Sequence, residues 1–175
     1  RVAYAQNLDS RAAVGFARTT SVQVYDSQGK AFSVQITFTK TADNNWSWAA
    51  STTTAGGTVT GDAALTFGSS GNITAGAAGS FTLNSTTAGL TTINLDLSSI
   101  TQYAADNTIQ ASERNGYPMG ALDTFTIDPT GTVTGVYTNG LTKAIAQVAL
   151  ASFSNPAGLL KGGESSFLES NNSGL

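Results

Sequence analysis

The sequence contains no cysteine and no histidine. Their absence removes disulfides, thiol nucleophiles, imidazole bases and the usual transition-metal ligands together. Charge is also scarce: Asp, Glu, Lys and Arg make up 11% of the chain, whereas soluble domains typically carry about 25%. The 8 basic and 11 acidic residues are scattered singly and sum to −3. No basic run exists to follow a phosphate backbone, so nucleic acid is not an expected partner. No apolar stretch approaches the roughly 20 residues that cross a bilayer, and no membrane partner is expected either. The chain opens at Arg1 without an initiator Met, and the expectation is a fragment of a longer polypeptide.

Neutral polar residues fill the space that charge leaves. The chain holds 26 Thr and 19 Ser beside 19 Gly and only 3 Pro, a mix that favours extended chain broken by tight turns. An all-β fold class follows, with length enough for one large domain or two modest ones. The strongest local signal is a hairpin. Val22 and Val24 alternate with polar residues, Asp26-Ser27-Gln28-Gly29 turns the chain, and Phe32, Val34, Ile36 and Phe38 then occupy every second position. Such alternation sends one face inward.

Trp46 and Trp48 continue the meander after an Asp43-Asn44-Asn45 turn. Residues 51–61 read as a Thr/Gly-rich loop, and period-two apolar residues return at Leu65 and Phe67, Phe81 and Leu83, and Ile93, Leu95 and Leu97. From about Phe16 to Ile100 the pattern describes one antiparallel β domain. Residues 1–18 show no clean period and read as irregular, and 100–115 reads as a connection. Farther on, Phe125 and Ile127 lead into an Asp128-Pro129-Thr130-Gly131 β-turn, Asn139-Gly140 signals a hairpin, and Ile145 to Phe153 reads as a strand. Leu159, Leu160, Phe167 and Leu168 are the expected anchors of a Gly- and Ser-rich tail.

Chemistry finds little footing. Without His no Ser-His-Asp triad can form, and Lys30, Lys40, Lys143 and Lys161 sit in no Ser-x-x-Lys spacing. Asp123 with Asp128, or Asp96 with Asp106, are the nearest carboxylate pairs for glycoside hydrolysis. Asp26 and Asp128, however, each begin a turn in which Asp accepts bonds from the backbone two residues on. Gly131 to Gly135 opens no helix and is no phosphate loop, and no Asp-rich twelve-residue calcium loop appears. The expectation is therefore no enzyme, no catalytic, cofactor-binding or metal residues, and no cofactor. Two Trp at period two more often fill a core than grip a ligand.

Several blocks together resemble the middle region of the bacterial flagellar hook protein family. They are Thr20 to Gly29, Phe38-Thr39-Lys40-Thr41 followed by Asn45-Trp46, and Leu65-Thr66-Phe67 with Gly71. Asn115-Gly116-Tyr117 with Gly120, Asp128 to Tyr137, and Leu150 to Leu159 complete the set. The resemblance implies an exported, extracellular structural subunit of the hook, the flexible universal joint between motor rod and filament. It implies two β domains: an outer, antiparallel, barrel- or sandwich-like domain over 16–115, inserted into an inner domain formed by 1–15 and 116–175. It further implies passage through the flagellar secretion channel, and partners that are other copies of the subunit in a helical tube, with hook cap and hook–filament junction proteins. The family's terminal helices fall outside the chain, so the fragment is expected to be monomeric. A distal-rod flagellar protein, a cell-surface adhesin or phage-fibre β domain, and a carbohydrate-active enzyme are the competing readings.

Overall fold

Phe32, Val34, Ile36 and Phe38 are fully buried, and they alternate along β3 (Ala31–Ala42) with half-exposed or exposed Ser33, Gln35, Thr37 and Thr39. The structure, a computed structural model, describes residues 1–174; Leu175, which closes the expected inner domain, lies outside the described residues. β3 pairs on one side with β2 (Ala17–Tyr25) and on the other with β4 (Asn45–Thr52). β6 (Asp62–Phe67) and β7 (Ile73–Ala75) complete an antiparallel sheet in the order β2-β3-β4-β6-β7. A second five-stranded sheet has the order β10-β1-β9-β8-β5. Its members are β1 (Val2–Asn7), β5 (Gly57–Thr60), β8 (Ala78–Ser85), β9 (Gly89–Thr101) and β10 (Gln110–Arg114).

The inner faces of the two sheets share one core that includes Trp46, Trp48, Phe81, Leu83, Leu95 and Leu97. Each such side chain contributes roughly 1.5–3 kcal/mol by leaving water. Aromatic rings of one sheet reach the backbone of the other. Phe32 lies against Gly57, and a Cβ on Gly79 would sit 2.8 Å from Trp48 Cζ2. Tyr4 of β1 meets Phe38 edge-on with ring centroids 5.6 Å apart, and its hydroxyl accepts a bond from Thr20 Oγ1 at 3.3 Å. Lys40 continues the inward series of β3 and is 3% exposed. Its ammonium escapes the apolar core by donating to the carbonyls of Ser10 and Ala12, at 2.6 and 2.8 Å.

The chain forms two compact units, the first ending at Met119 and the second running from Gly120 onward. The second unit contains the antiparallel sheet β11-β12-β13, made from β11 (Leu122–Ile127), β12 (Thr132–Tyr137) and β13 (Thr142–Gln147). It also holds a hairpin of β14 (Leu160–Gly163) and β15 (Ser166–Leu168).

Strand pairing departs from the sequence reading at five places. Residues 2–7 form a strand, and β1 runs parallel to β9, so the first unit is not purely antiparallel. β1 also pairs with β10, which ties residues 2–7 to the same unit as 16–115 rather than to 116–175. The expected loop at 51–61 contains β5, and the expected connection at 100–115 contains β10. The expected strand from Ile145 to Phe153 ends at Gln147.

One turn design appears in both units. Asp26 Oδ1 accepts the N–H groups of Gln28 and Lys30 at 2.9 and 3.0 Å; Asp128 Oδ1 accepts those of Thr130 and Thr132, both at 2.9 Å. Gly29 and Gly131, each three residues on, take φ near +80°, a conformation that glycine adopts without steric cost. The surroundings differ. Asp128 is exposed, whereas Asp26 is buried and its Oδ2 accepts Ser85 Oγ at 2.8 Å, linking the β2–β3 turn to the end of β8. Burial pushes the Asp26 carboxyl up, but the bonds from Ser85 and the two N–H groups outweigh it and leave it below the usual carboxylate range. Bonds from Ser98 and then Arg1 lower Asp96 to about 2.

Two outcomes are expected. Gly79→Ala presses a methyl into Trp48 and should destabilise the chain by about 1–3 kcal/mol, the usual range for overpacking, seen as a lower urea midpoint with altered Trp fluorescence. An unchanged midpoint would show that Trp48 has room to move. Because Asp26 and Asp96 bind protons less readily folded than unfolded, their stabilisation is present well above the ordinary carboxylate value of 3.8 and is lost as pH falls below it, for Asp96 towards about 2. The urea midpoint should drop through that window, and should drop less in Asp26→Asn.

Candidate interaction surfaces

Most of the carboxylates singled out for chemistry are occupied with structure, while Asp123 is exposed on β11. Asp26 and Asp128 hold turns, as described. Asp96 pairs with Arg1 and accepts Ser98 Oγ at 2.6 Å, while Asp106 lies 3.6 Å from Arg11, which also pairs with Asp9 at 2.9 Å. Those Arg11 bonds hold the Asp9 carboxyl below its ordinary value. Trp46 and Trp48 are fully buried in the core. Among the described residues no group of three or more acidic side chains is placed to hold a metal ion, and no helix is long and apolar enough to cross a membrane. Lys40 was visible in the sequence only as a lysine. Its place in the period of Phe32 to Phe38 is the signal that marks it as inward.

The outer face of the β3 sheet follows from the register. Ala17, Thr39, Ser47 and Ala64 stand side by side across four strands. The next row is Thr19, Thr37, Ala49 and Asp62, and a third holds Ser21, Gln35 and Ser51. Asp62 is the one charge in these rows. Thr19 and Thr37 bond through their hydroxyls at 2.9 Å. On the other sheet, Ser80 faces Asn94 and Thr82 faces Thr92, the neighbours of the inward pair Phe81 and Ile93. The outer face of the β3 sheet therefore presents short hydroxyl, amide and methyl groups, which exchange bonds with water or a neighbour at small net cost, whereas on the other sheet the row Ala78, Asp96, Ala3 and Glu113 sets two carboxylates beside the Ser, Thr and Asn side chains.

The second unit presents something different. Register places Leu122 opposite Tyr137, Phe125 opposite Gly135 and Ile127 opposite Val133. Leu122, Phe125, Ile127 and Ile145 are 45–58% exposed. Gly135 has no side chain to fill the middle of this face, and Leu122 and Ile145 lean over it; a Cβ there would sit 2.8 Å from Leu122 Cδ1 and 3.5 Å from Ile145. Thr124, Thr126, Thr134 and Thr142 lie on the opposite side, with Val136 between Thr124 and Thr142 and Ala144 beside Thr134. Leu160, Phe167 and Leu168, expected to anchor the tail, are likewise exposed. A patch of this kind marks a surface built to be covered.

A family model described as the flagellar basal body protein FlaE D2 domain matches residues 3–117. The flagellar hook protein FlgE of Treponema pallidum is 36% identical over 200 residues, covering 90% of this chain and 43% of that protein. The hook protein FlgE of Escherichia coli is 32% identical over 175 residues, covering 98% of this chain and 42% of that one. For Salmonella typhimurium the figures are 34% over 166 residues, 89% and 40%. In fold, the crystal structure of Helicobacter pylori flagellar hook protein FlgE2 is similar with a TM-score of 0.51 at 16% identity, covering 84% of this chain and 35% of that one. The chain thus spans about two fifths of the length of these curated relatives. A family match that runs across both sheets, and relatives 32–36% identical over most of the chain, lead to one conclusion: the chain belongs to the flagellar hook protein family whose D2 domain that model describes.

Proposed function

We propose that this chain is the middle segment of a structural subunit of the bacterial flagellar hook, and that it works by packing against further copies of itself in a helical tube. The observation that carries the reading is the outer face of the β3 sheet, whose three rows of Ser, Thr, Gln and Ala side chains hold a single charge, Asp62. A joint that bends while rotating needs contacts that re-form as subunits slide. Hydroxyls and amides serve this because a bond lost to a neighbour is replaced by one to water, whereas desolvated ion pairs resist separation. Every relative reported above carries the hook protein's name, which favours this reading over a distal-rod protein, an adhesin or phage-fibre domain, or a carbohydrate-active enzyme.

On this reading the unit up to Met119 corresponds to the outer domain, with residues 2–7 included, and the unit from Gly120 is part of the inner domain. The inner domain is completed by parts of the longer protein that lie outside this chain, and these cover the Leu122, Phe125, Ile127 and Ile145 face. Export through the flagellar channel, an extracellular location, and contacts with the hook cap and hook–filament junction proteins belong to the same proposal.

The 175-residue chain should sediment as a monomer, and the full-length protein that contains it should form tubes visible by negative-stain electron microscopy; a full-length protein that stays monomeric would count against the hook reading. The covering of the second unit has its own test. Phe125→Ala should change the stability of this chain by less than about 0.5 kcal/mol, as at other exposed sites. In the full-length protein it should cost about 3–5 kcal/mol, the usual loss for a buried Phe. Equal effects in the two contexts would mean that the face stays open.

A further inference from the structure

The sequence contains two Asn-Gly pairs, Asn115-Gly116 and Asn139-Gly140, and the structure treats them differently. In such a pair the glycine nitrogen can attack the preceding side-chain amide carbon. The N–C bond that forms closes a five-membered succinimide, the amide nitrogen leaves as ammonia with the proton given up by the attacking nitrogen, and water then opens the ring to aspartate or isoaspartate. No oxidant and no cofactor are needed. Glycine favours the step because no side chain blocks the attacking nitrogen and because its backbone reaches unusual angles easily.

At Asn139-Gly140 the nucleophile is tied down. The Gly140 N–H donates to the Tyr137 carbonyl at 2.9 Å inside the β12–β13 turn. The Asn139 side chain accepts the Leu141 N–H at 3.2 Å, and it fills the space beside Gly120, where a Cβ would come within 2.5 Å of Asn139 Cγ. The Thr138 N–H donates to the Ala121 carbonyl at 2.9 Å, and the Ala121 N–H to Thr138 Oγ1 at 3.0 Å, so the turn is clasped from the side.

At Asn115-Gly116 the glycine nitrogen has no such restraint. Residues 115–121 form no regular element, both members of the pair are exposed, and among the described residues the Gly116 N–H donates to no acceptor. The Asn115 side-chain oxygen accepts the Arg1 amino group at 2.6 Å. Since Asn139 also accepts a bond on its oxygen, polarisation of the attacked carbonyl does not distinguish the two sites. Freedom of the nucleophile does.

We propose that Asn115 is a site of spontaneous deamidation and isomerisation, and that Asn139 is protected from it by the fold. The product matters structurally. Isoaspartate adds a methylene to the main chain and a carboxylate beside Arg114, at the residue whose N–H donates to the Arg1 carbonyl at 3.2 Å and so continues the β1–β10 pairing. The inference does not depend on the hook reading, and failure of either leaves the other standing.

The test is to incubate the 175-residue chain at mildly alkaline pH and digest it with trypsin. The peptide from Asn115 to Lys143 holds both sites, and tandem mass spectrometry assigns conversion to each. One ordinary hydrogen bond on the nucleophile slows reaction about fivefold and the side-chain bond adds a similar factor, so Asn115 should convert at least about tenfold faster than Asn139. Isoaspartyl methyltransferase should label the isoaspartate that forms from Asn115 in the folded chain. In concentrated urea the two rates should become equal. Gly120→Ala, which displaces the Asn139 side chain, should raise the Asn139 rate and leave that of Asn115 unchanged. Equal rates in the folded chain, faster reaction at Asn139, or a difference that persists in urea would each overturn the proposal.

Discussion

Close approach of two sheets, possible only where glycine faces an aromatic ring, is the constraint on which residues 1–119 depend. Phe32 against Gly57 and Trp48 against Gly79 bring the backbone of the β9 sheet onto the largest side chains of the β3 sheet, and the remaining apolar residues close around those contacts. Ion pairs contribute little by comparison. The pairs formed by Arg1 and Arg11 have one or both side chains well exposed, and such pairs are worth about 0–1 kcal/mol. A chain with so few charges must take its stability from the core and from buried, fully bonded polar groups such as Asp26 and Lys40.

Where local pattern and burial agree, the fold was legible in the sequence. The β2–β3 hairpin, the inward Trp46 and Trp48, and the two Asp-x-x-Gly turns could be read directly because alternation and turn chemistry are local properties. β1 could not. Its register shifts between Ala3 and Tyr4, and Gln6 takes φ of +83°, so the even beat of Val2 and Tyr4 is interrupted before Leu8. β5 is four residues of Gly, Thr and Val, and β10 is an edge strand with Ala111 as its one half-buried residue. Neither carries an apolar pattern, since each is held by its neighbour's backbone. The run from Ile145 to Phe153 misled for the opposite reason: apolar residues there suggested a buried strand, yet most of them face outward.

The two units solve the same composition differently. The first encloses its own core and turns hydroxyls outward on both sheets. The second has one face of Thr residues around Val136 and one largely apolar face over Gly135 that also carries Lys143, with few side chains buried. The surfaces proposed for subunit packing were only partly legible for this reason. Ser and Thr counts foretold a neutral exterior, but which hydroxyls share a row is a matter of register. The open apolar face belongs to residues that any sequence reading would place inside.

The β1–β10 pairing sets the route by which force would cross the first unit. Antiparallel pairing of Val2 with Arg114, extended by the bond from Asn115 to Arg1, puts the place where the chain enters beside the place where it leaves. A pull applied through the main chain at those two points is borne by the first rungs of this one ladder, which open in sequence like a zip. The other eight strands hang outside the load path as a pendant body. They can press on whatever lies beside them without being stretched.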